Sequence, residues 1–333
     1  GLTGVRVIRA FRQEDWEQNR FKKANEDYTQ TGIKAFTIVS TLFPVVTLIL
    51  GMTNVAIILL GGHLVANMSM QVGDLIAFMT YATQIMISFM MLSMIFVFVP
   101  RASASATRVN AVLDQPISIH NAPEKDQEKI SINQPASLEF KNVDFRFHGA
   151  ERLALHDLNF KVTAGQTLAI IGGTGSGKSA LVNLIPRLFD IESGEIKVDG
   201  VPVKKLSQHN LHEVISITQH QAVLFSGTIR SNLQFGYEEA TNKEMWHALE
   251  IAQAADFVRE EGGLDAVVEQ NGSNFSGGQR QRLAIARTII KPASIYVFDD
   301  SFSALDFETV AKLRAALAKD PQIQRAVTVI VAQ

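Results

Sequence analysis

The chain has 333 residues, a formal net charge of −2 and no cysteine. This length allows about two domains, and the absence of cysteine excludes disulfide bonds and thiolate zinc sites. Because the basic residues form no long stripe, we expect no nucleic acid partner. The sequence starts at a glycine and stops inside an apolar run, so we expect a segment of a longer protein.

Two long stretches near the start carry no charged side chain, Ala35–Gly62 and Leu75–Pro100. Each exceeds the roughly 20 residues that a helix needs to cross a bilayer, and neither shows the polar stripe of a helix in a soluble core. We predict two membrane spans at about 33–62 and 73–99, with the lipid bilayer as a partner. Basic residues flank this pair of spans but are missing from the connection at 63–74, so both ends are predicted to be cytoplasmic.

The first 30 residues alternate apolar and charged side chains at helical spacing, which predicts a charged amphipathic helix leading into the first span. We expect this helix to project into the cytoplasm, and an interfacial helix lying on the lipid is the open alternative. The second span is rich in methionine, which suits a surface for varied apolar ligands or simply fills helix and lipid contacts. Residues 1–114 are predicted to form part of a transmembrane domain that ends in a cytoplasmic helix extension.

Residues 115–136 are polar, contain three prolines and are predicted to form a linker. Strand patterns follow at Leu138–Phe147, Leu158–Val162 and Gln166–Ile171. They predict an α/β domain over residues 137–333, truncated at its C-terminus in this segment.

The last of these strands leads into Gly-Gly-Thr-Gly-Ser-Gly-Lys-Ser, which fits the pattern GxxxxGK[ST] at residues 172–179. A helix-like apolar run follows, so the motif has the strand-to-helix setting that a phosphate-binding loop requires. Glycines let backbone N–H groups close around phosphate oxygens, and the start of a helix adds partial positive charge. We predict that Lys178 reaches the β- and γ-phosphates of ATP and that Ser179 ligates Mg²⁺.

A further apolar strand, Ile295–Phe298, ends in two adjacent carboxylates, Asp299 and Asp300. Buried parallel strands deliver such acids to the edge of a sheet, where metal and phosphate chemistry takes place. Asp299 is predicted to ligate Mg²⁺. Asp300 is predicted to be a catalytic base or water-orienting group, and a helix N-cap or a salt-bridge partner is the alternative.

Between the loop and this strand, Phe275-Ser276-Gly277-Gly278-Gln279 closely resembles the LSGGQ signature of ATP-binding cassette (ABC) proteins. The resemblance covers essentially the whole chain. It implies an α-helical transmembrane segment, similar to the fifth and sixth helices of an ABC exporter, followed by an α/β P-loop nucleotide-binding domain of the ABC type. Gly1–Phe11 resembles the second intracellular loop, with its coupling helix, of exporter half-transporters. In the family, the signature binds the γ-phosphate that the opposite subunit holds.

The resemblance also implies roles for single residues. Gln219 is similar to the Q-loop glutamine, Gln333 stands where the switch histidine is expected, and both are placed with Asp300 in the catalytic set. The implied D-loop comprises Ser303, Ala304, Leu305 and Asp306. The implied Mg²⁺ ligands are Ser179, Gln219 and Asp299. The implied ATP-binding residues are Phe147, at the adenine-stacking position, and Gly172, Gly173, Thr174, Gly175, Ser176, Gly177, Lys178, Ser179 and Ala180.

The chain departs from the family pattern at two catalytic positions, because Asp300 replaces the usual glutamate and Gln333 replaces the histidine. Aspartate is one methylene shorter, so its carboxylate falls roughly 1–1.5 Å short of the attacking water. Misplacement on this scale can cost about a hundredfold in rate, and glutamine cannot take a proton as an imidazole does. The pattern resembles the degenerate-site subunit of bacterial heterodimeric multidrug ABC exporters of the Efr/Lmr type.

The resemblance therefore predicts a subunit of an ATP-driven exporter of amphipathic small molecules, an ABC-type transport ATPase of the bacterial cell membrane. Its own site is predicted to bind ATP with low turnover, with the nucleotide domain in the cytoplasm. The expected partner is a second half-transporter, whose active site the intact signature would complete. A lipid or peptide exporter is one alternative, and a nucleotide-gated regulatory subunit with little hydrolysis is another.

Overall fold

The computed structural model describes residues 4–173 and 175–332 of the chain. Its residues divide into two units, the first ending at Pro116 and the second beginning at Ile117. Among its described residues, the first unit contains three helices, α1 (Val5–Ala10), α2 (Glu14–Ala66) and α3 (Val72–Leu113).

The two long helices of the first unit contain windows long and apolar enough to cross a membrane, Pro44–Ala66 in α2 and Val72–Leu92 in α3. Helix α2 has 53 residues, so at 1.5 Å per residue it extends about 80 Å. That length far exceeds a hydrocarbon core of about 30 Å. The predicted span at 33–62 begins before the most apolar window, because the charge-free stretch extends on the N-terminal side of Pro44.

The prediction of one amphipathic helix over the first 30 residues was wrong at residues 11–13. Phe11 ends α1, and Arg12 has a φ of 51°, in the left-handed region. A non-glycine residue in that region interrupts a right-handed helix. The chain therefore turns at Arg12, and α2 begins at Glu14.

Helices α2 and α3 are joined by the short connection at 67–71 and approach each other closely beside it. A Cβ atom added at Gly61 would lie 2.3 Å from Cδ1 of Leu75. A small residue at this point lets the two helices come together, as in other membrane helix pairs. Gln71 and Asp74 form a reciprocal capping box that fixes the start of α3.

In the part of the second unit that the structure describes, the strands form two four-stranded sheets and one short pair. An antiparallel sheet has the order β2-β1-β4-β5, with β1 Ser137–Phe145, β2 Leu155–Thr163, β4 Ser193–Val198 and β5 Val201–Pro202. A parallel sheet has the order β3-β10-β9-β6, with β3 Thr167–Ile171, β10 Val327–Ala332, β9 Ile295–Asp299 and β6 Ile215–Thr218. The pair consists of β7 Gly227–Thr228 and β8 Val267–Val268. The helices are α4 Lys178–Leu184, α5 Gln208–Glu213, α6 Ile229–Gly236, α7 Asn242–Ile251, α8 Ala255–Glu260, α9 Gly277–Ile289 and α10 Phe307–Lys319.

Strand β9 lies between the two hydrophobic cores of the second unit, and all of its residues are buried. Ile295 and Val297 belong to one core, whereas Tyr296 and Phe298 belong to the other. Successive side chains of a strand point to opposite faces, and a parallel strand covered on both faces is apolar throughout. Because β9 is buried on both faces, its position in the sheet is fixed. The positions of Asp299 at its end and of Asp300 directly after it are therefore fixed as well.

Most of the segment predicted to be a linker belongs to the second unit, which begins at Ile117. Ile130 and Ala136 are buried, and Arg187 donates to the carbonyl oxygen of His120 at 3.1 Å. The side-chain amide of Asn210 on α5 pairs with both the N–H and the C=O of Ile130, at 2.9 and 2.8 Å. A few specific contacts with distant residues hold this polar segment, and its local composition did not reveal them.

Candidate nucleotide site

The predicted loop and acids meet at the carboxyl edge of the parallel sheet. The phosphate loop leaves β3, Asp299 ends β9, and Gln219 and His220 follow β6. Within the sheet, Thr218 is paired with Phe298, and Val331 with Asp299. Because the strands are parallel and in this register, the residues that follow each strand converge at one edge, where ligands bind in open α/β sheets.

The conformation of the phosphate loop depends on a closely packed glycine, Gly177, and on hydrogen bonds from Lys178. Gly177 has a φ of 88°, and a Cβ atom there would lie 2.9 Å from the carbonyl oxygen of Ala154, so a larger residue would disturb the start of α4. Lys178 Nζ donates to the carbonyl oxygens of Gly172 and Gly173, the latter at 2.9 Å. The ammonium group therefore lies across the loop, where phosphate oxygens would meet it. Thr174 lies outside the described residues.

Beside the loop is a pocket of about 500 Å³ that collects most of the predicted nucleotide-binding residues. Phe147, which also lines this pocket, is 43% exposed. Phe147 makes edge-on contacts with Phe145 and Phe189, with ring centroids 4.8 and 5.6 Å away. These edge-on contacts limit the orientation of the ring. The lining comprises Phe147, Leu153, Ala154, Gly175, Ser176, Gly177, Lys178, Ser179, Ala180, His220, Asp299, Asp300 and Val331.

The two acids of the pocket have different surroundings. Burial raises the pKa of the Asp299 carboxyl above its ordinary value, and the charge of Asp300 adds to this, while His220 and Lys178 oppose it. Asp300 has a φ of 47°, so the chain turns sharply directly after β9. Its Oδ2 lies 3.1 Å from Nδ1 of His220. The Asp300 carboxylate thus has a histidine ring as its neighbour, whereas the N-cap of α10 is Asp306, whose carboxylate accepts the N–H of Thr309 at 2.9 Å.

The oxygen donors of the pocket fit a Mg²⁺ ion bound together with a nucleotide. Among the described residues, no group of three or more His, Cys, Asp or Glu side chains could hold a metal by itself. Mg²⁺, however, usually takes one or two protein oxygens and fills its other positions with phosphate oxygens and water. Ser179 and Asp299 both line the pocket, and a cation would stabilise the ionised form of the buried Asp299 carboxyl. When bound, the ion would neutralise phosphate charge.

Sequence reasoning selected Gln219 at the end of β6, but the structure places its neighbour His220 in the pocket lining. Gln219 is exposed and lines an adjacent groove instead. Both residues lie beyond the end of β6 at Thr218, where the strand's alternation no longer predicts which side chain enters the pocket. No motif marks His220; only the alignment of β6 with β9 could have identified it. Gln333 lies outside the described residues.

The signature residues form the N-terminal turn of α9. Ser276 Oγ accepts the N–H of Gln279 at 3.3 Å, and Gln279 Oε1 accepts the N–H of Ser276 at 2.8 Å. Phe275 is buried against Phe257, whereas a Cβ atom at Gly277 would meet open space. Within the described residues, the pocket lining includes no residue of this signature. The signature therefore lies outside this pocket.

The D-loop connects Asp300 to the signature within this unit. Ser303 Oγ donates to the carbonyl oxygen of Asp300 at 2.9 Å. A Cβ atom at Gly278 would lie 3.5 Å from the carbonyl oxygen of Ala304 and 3.8 Å from Leu305. The turn that carries the second acid thus packs against the start of α9.

Comparison with known protein families matches residues 155–303 to the ABC transporter domain and residues 1–89 to the ABC transporter transmembrane region. An uncharacterized ABC transporter ATP-binding protein of Mycobacterium tuberculosis is 41% identical, over 99% of this chain and 56% of that protein. The ATP-dependent lipid A-core flippase of Hahella chejuensis is 33% identical, over 95% of this chain and 54% of that protein. The chain thus spans about half the length of these relatives.

The solved structure of a bacterial Atm1-family ABC exporter with ATP bound is also similar, with a TM-score of 0.84 and 28% sequence identity. The match covers 99% of this chain and 57% of that one. The predicted fold class, a helical transmembrane segment followed by an α/β nucleotide-binding domain, is confirmed.

Proposed function

Because the chain carries an ABC transporter transmembrane region followed by an ABC transporter nucleotide-binding domain, we propose that it is a subunit of an ATP-driven exporter. In this proposal its own nucleotide site binds ATP and hydrolyses it slowly. The protein resides in a bacterial cell membrane with the nucleotide domain in the cytoplasm, and Mg²⁺ accompanies the ATP.

The observation that carries the slow-site proposal is the position of Asp300. The backbone of Asp300 is fixed by the turn after β9 and by its bond with Ser303, so the main chain cannot advance to offset the shorter side chain. A displacement of about 1 Å from the productive geometry is enough to lose about a hundredfold in rate. Lys178, Ser179 and Phe147 line the same pocket, which supports retained binding.

The partner in this proposal is a second half-transporter with a complete catalytic site. The capped start of α9 supports this choice, since its signature residues do not line the pocket of their own chain. They are available to close a site built on the partner's phosphate loop. A heterodimer then holds one fast site and one slow site.

ATP hydrolysis by the full-length subunit alone, by its Asp300→Glu variant and by the co-purified complex tests the proposal. We expect low activity for the subunit alone and high activity for the complex at saturating Mg-ATP. Asp300→Glu should raise the activity of the subunit alone by about tenfold or more, since the added methylene restores about 1 Å of reach. High activity of the subunit alone, unchanged by Asp300→Glu, would instead favour a homodimeric exporter.

For the cargo we propose amphipathic small molecules, since the second span is apolar and rich in methionine. A lipid is the second candidate, because several relatives at 33–34% identity are lipid A-core flippases. ATP-dependent accumulation of an amphipathic dye in inverted vesicles, compared with translocation of a labelled lipid in the same vesicles, separates the two. Lipid movement without dye transport would overturn the first choice.

A further inference from the structure

The loop between β1 and β2, residues 146–154, is joined to the start of β4 by an arginine. Asp144 on β1 is aligned with Ser193 on β4 in an antiparallel ladder, so the residues that follow β1 run beside those that precede β4. Arg146 and Glu192 meet there: Nε donates to Oε2 at 2.9 Å and Nη2 donates to Oε1 at 3.1 Å. A bidentate pair of this kind fixes the direction of the two side chains as well as their distance.

The same guanidinium also closes the loop on itself. Nη1 of Arg146 donates to the carbonyl oxygen of Glu151 at 2.9 Å, and the N–H of Ala150 donates to the carbonyl oxygen of Phe147 at 3.0 Å. All three guanidinium nitrogens are therefore engaged, two with the segment before β4 and one with the far side of the loop. A lysine ammonium is a single point charge and cannot make this fork.

This loop supplies one wall of the nucleotide pocket. Three of its residues line the cavity of about 500 Å³ that the phosphate loop also lines, namely Phe147, Leu153 and Ala154. The ring of Phe147 contacts the ring of Phe189, which lies three residues before Glu192, with centroids 5.6 Å apart. The polar and the aromatic contacts thus join the loop to the same segment. A displacement of the loop relative to that segment would move the exposed aromatic ring in the pocket wall.

The pair is suited to holding the loop rather than to stabilising the whole domain. The side chains of Arg146 and Glu192 are 38% and 46% exposed, and exposed ion pairs add little to the stability of a fold. Stacking of a base on an aromatic ring, in contrast, depends on where the ring lies. A contact that removes alternative positions of the ring before the nucleotide arrives raises affinity, because less ordering remains to be done on binding.

We propose that Arg146 is a positioning residue for the base of the nucleotide: together with Glu192 it holds the loop so that Phe147 is in place to stack on a purine. The inference rests on the proposed function, in which this pocket binds ATP. Among the described residues that line the pocket, Arg146 is absent, so it acts through the loop. The phosphate loop holds the phosphates independently of it.

The test compares Mg-ATP with Mg-tripolyphosphate, which has three phosphates and no base. Each competes on ice with 8-azido-ATP for photo-cross-linking to this chain in the full-length transporter complex, so that the partner's site is not counted. Arg146→Met keeps the aliphatic stem and removes the hydrogen bonds to Glu192 and Glu151. It should raise the inhibition constant of ATP by about fivefold, the scale of ordering a free side chain and loop. The inhibition constant of tripolyphosphate should change by less than about twofold, since the phosphate loop is untouched.

Equal changes for ATP and tripolyphosphate would mean that Arg146 supports only the fold of the domain, and no change for either would mean that the loop needs no clamp. Both results would overturn the proposal.

A double-mutant cycle separates positioning from direct contact. In a Phe147→Ala background, Arg146→Met should have no further effect on the inhibition constant of ATP, because the ring that it positions is gone. A further loss in that background would mean that Arg146 acts on the nucleotide itself, and the proposal would be wrong. Glu192→Ala should weaken ATP as much as Arg146→Met does, and the double variant should be no weaker than either. Fully additive losses would contradict a pair that acts as one unit.

Two controls complete the design. Arg230→Met removes a matched fork, in which Nε and Nη2 donate to the carboxylate of Asp265 at 2.7 and 3.1 Å outside the pocket, and it should leave both inhibition constants unchanged. Lys178→Ala should abolish labelling of this chain. Labelling that survives Lys178→Ala would contradict the proposed function of the site. A normal Lys178 result with unchanged ATP binding in Arg146→Met would contradict only the positioning role.

Discussion

Adjacent residues of this chain differ in role because the backbone turns between them. Asp299 is the last residue of β9, and Asp300 already has left-handed backbone geometry. Asp299 lines the pocket together with Ser179, and the carboxylate of Asp300 lies beside His220. Aspartate tolerates this backbone region better than most residues. An aspartate at position 300, in place of the family's usual glutamate, is therefore compatible with the turn.

Outside the nucleotide pocket, the surroundings of Asp144 allow the dependence of stability on pH to be predicted. Its carboxylate accepts the N–H of Asp157, the hydroxyl of Ser193 and Nδ1 of His156, at 2.8, 2.7 and 2.8 Å. These hydrogen bonds, the first of them most strongly, lower the pKa of Asp144 from 3.8 to about 2. Because the folded-state pKa lies below the unfolded value, the stabilisation is complete above about pH 4 and is lost as the pH falls to about 2.

We therefore expect Asp144→Asn to lower the thermal midpoint of the protein by a constant amount from pH 7 to pH 5. The difference from the wild type should shrink below pH 4 and nearly vanish at pH 2, as measured by intrinsic fluorescence. Glu238→Gln, at an exposed position, is the matched control and should not show this profile. A difference that stayed constant to pH 2 would contradict the hydrogen-bonding account.

At the scale of elements, capped helix starts stabilise the fold, and the start of α9 is in addition proposed to bind a nucleotide. Helices α7 and α9 begin with reciprocal capping boxes, Thr241 with Glu244 and Ser276 with Gln279. In both helices the hydroxyl accepts the corresponding N–H at 3.3 Å. The local geometry is therefore the same, and only the helix that begins with the signature is proposed to meet a nucleotide.

This equivalence allows a matched comparison of Ser276→Ala and Thr241→Ala. Each should cost about 1 kcal/mol of unfolding free energy, the usual value for an N-cap, and should lower the thermal midpoint by a similar few degrees. Only Ser276→Ala should strongly reduce ATP hydrolysis by the complex, since its hydroxyl and helix start face the partner's nucleotide in the proposed arrangement. Equal losses of ATPase activity in both variants would mean that Ser276 acts only as a helix N-cap.

At the scale of the whole molecule, the charge pattern predicts how the two apolar helices are oriented in the membrane. The connection between α2 and α3 lacks Lys and Arg, whereas basic residues lie at both outer ends. From the positive-inside rule we expect the connection to lie outside the cell and the end of α3 in the cytoplasm. The length of α2 beyond its apolar window supports a long cytoplasmic extension.

Because the chain has no cysteine, single cysteines can report this orientation directly. Ser69→Cys should react with a membrane-impermeant maleimide in intact cells. Asp114→Cys, at the end of α3, should react only after the membrane is permeabilised. Labelling of both positions from the same side would contradict the hairpin topology.

The sequence by itself determined the features that are contiguous and local. The phosphate loop, the signature, the Asp pair and the two charge-free stretches each require only neighbouring residues of set types, so their chemistry is readable without a fold. The same locality explains why the strand predicted at Gln166–Ile171 agrees to within one residue with β3, Thr167–Ile171.

Tertiary structure alone decided which distant residues meet. The pairing of His220 with Asp300, the hold of Asn210 on the segment near Ile130 and the close packing of Gly61 against Leu75 all join residues far apart or in different elements. Such contacts depend on strand register and on packing between elements. The turn at Arg12 was missed because its hydrophobic spacing continues through it, and the backbone conformation that breaks the helix has no signature in that periodicity.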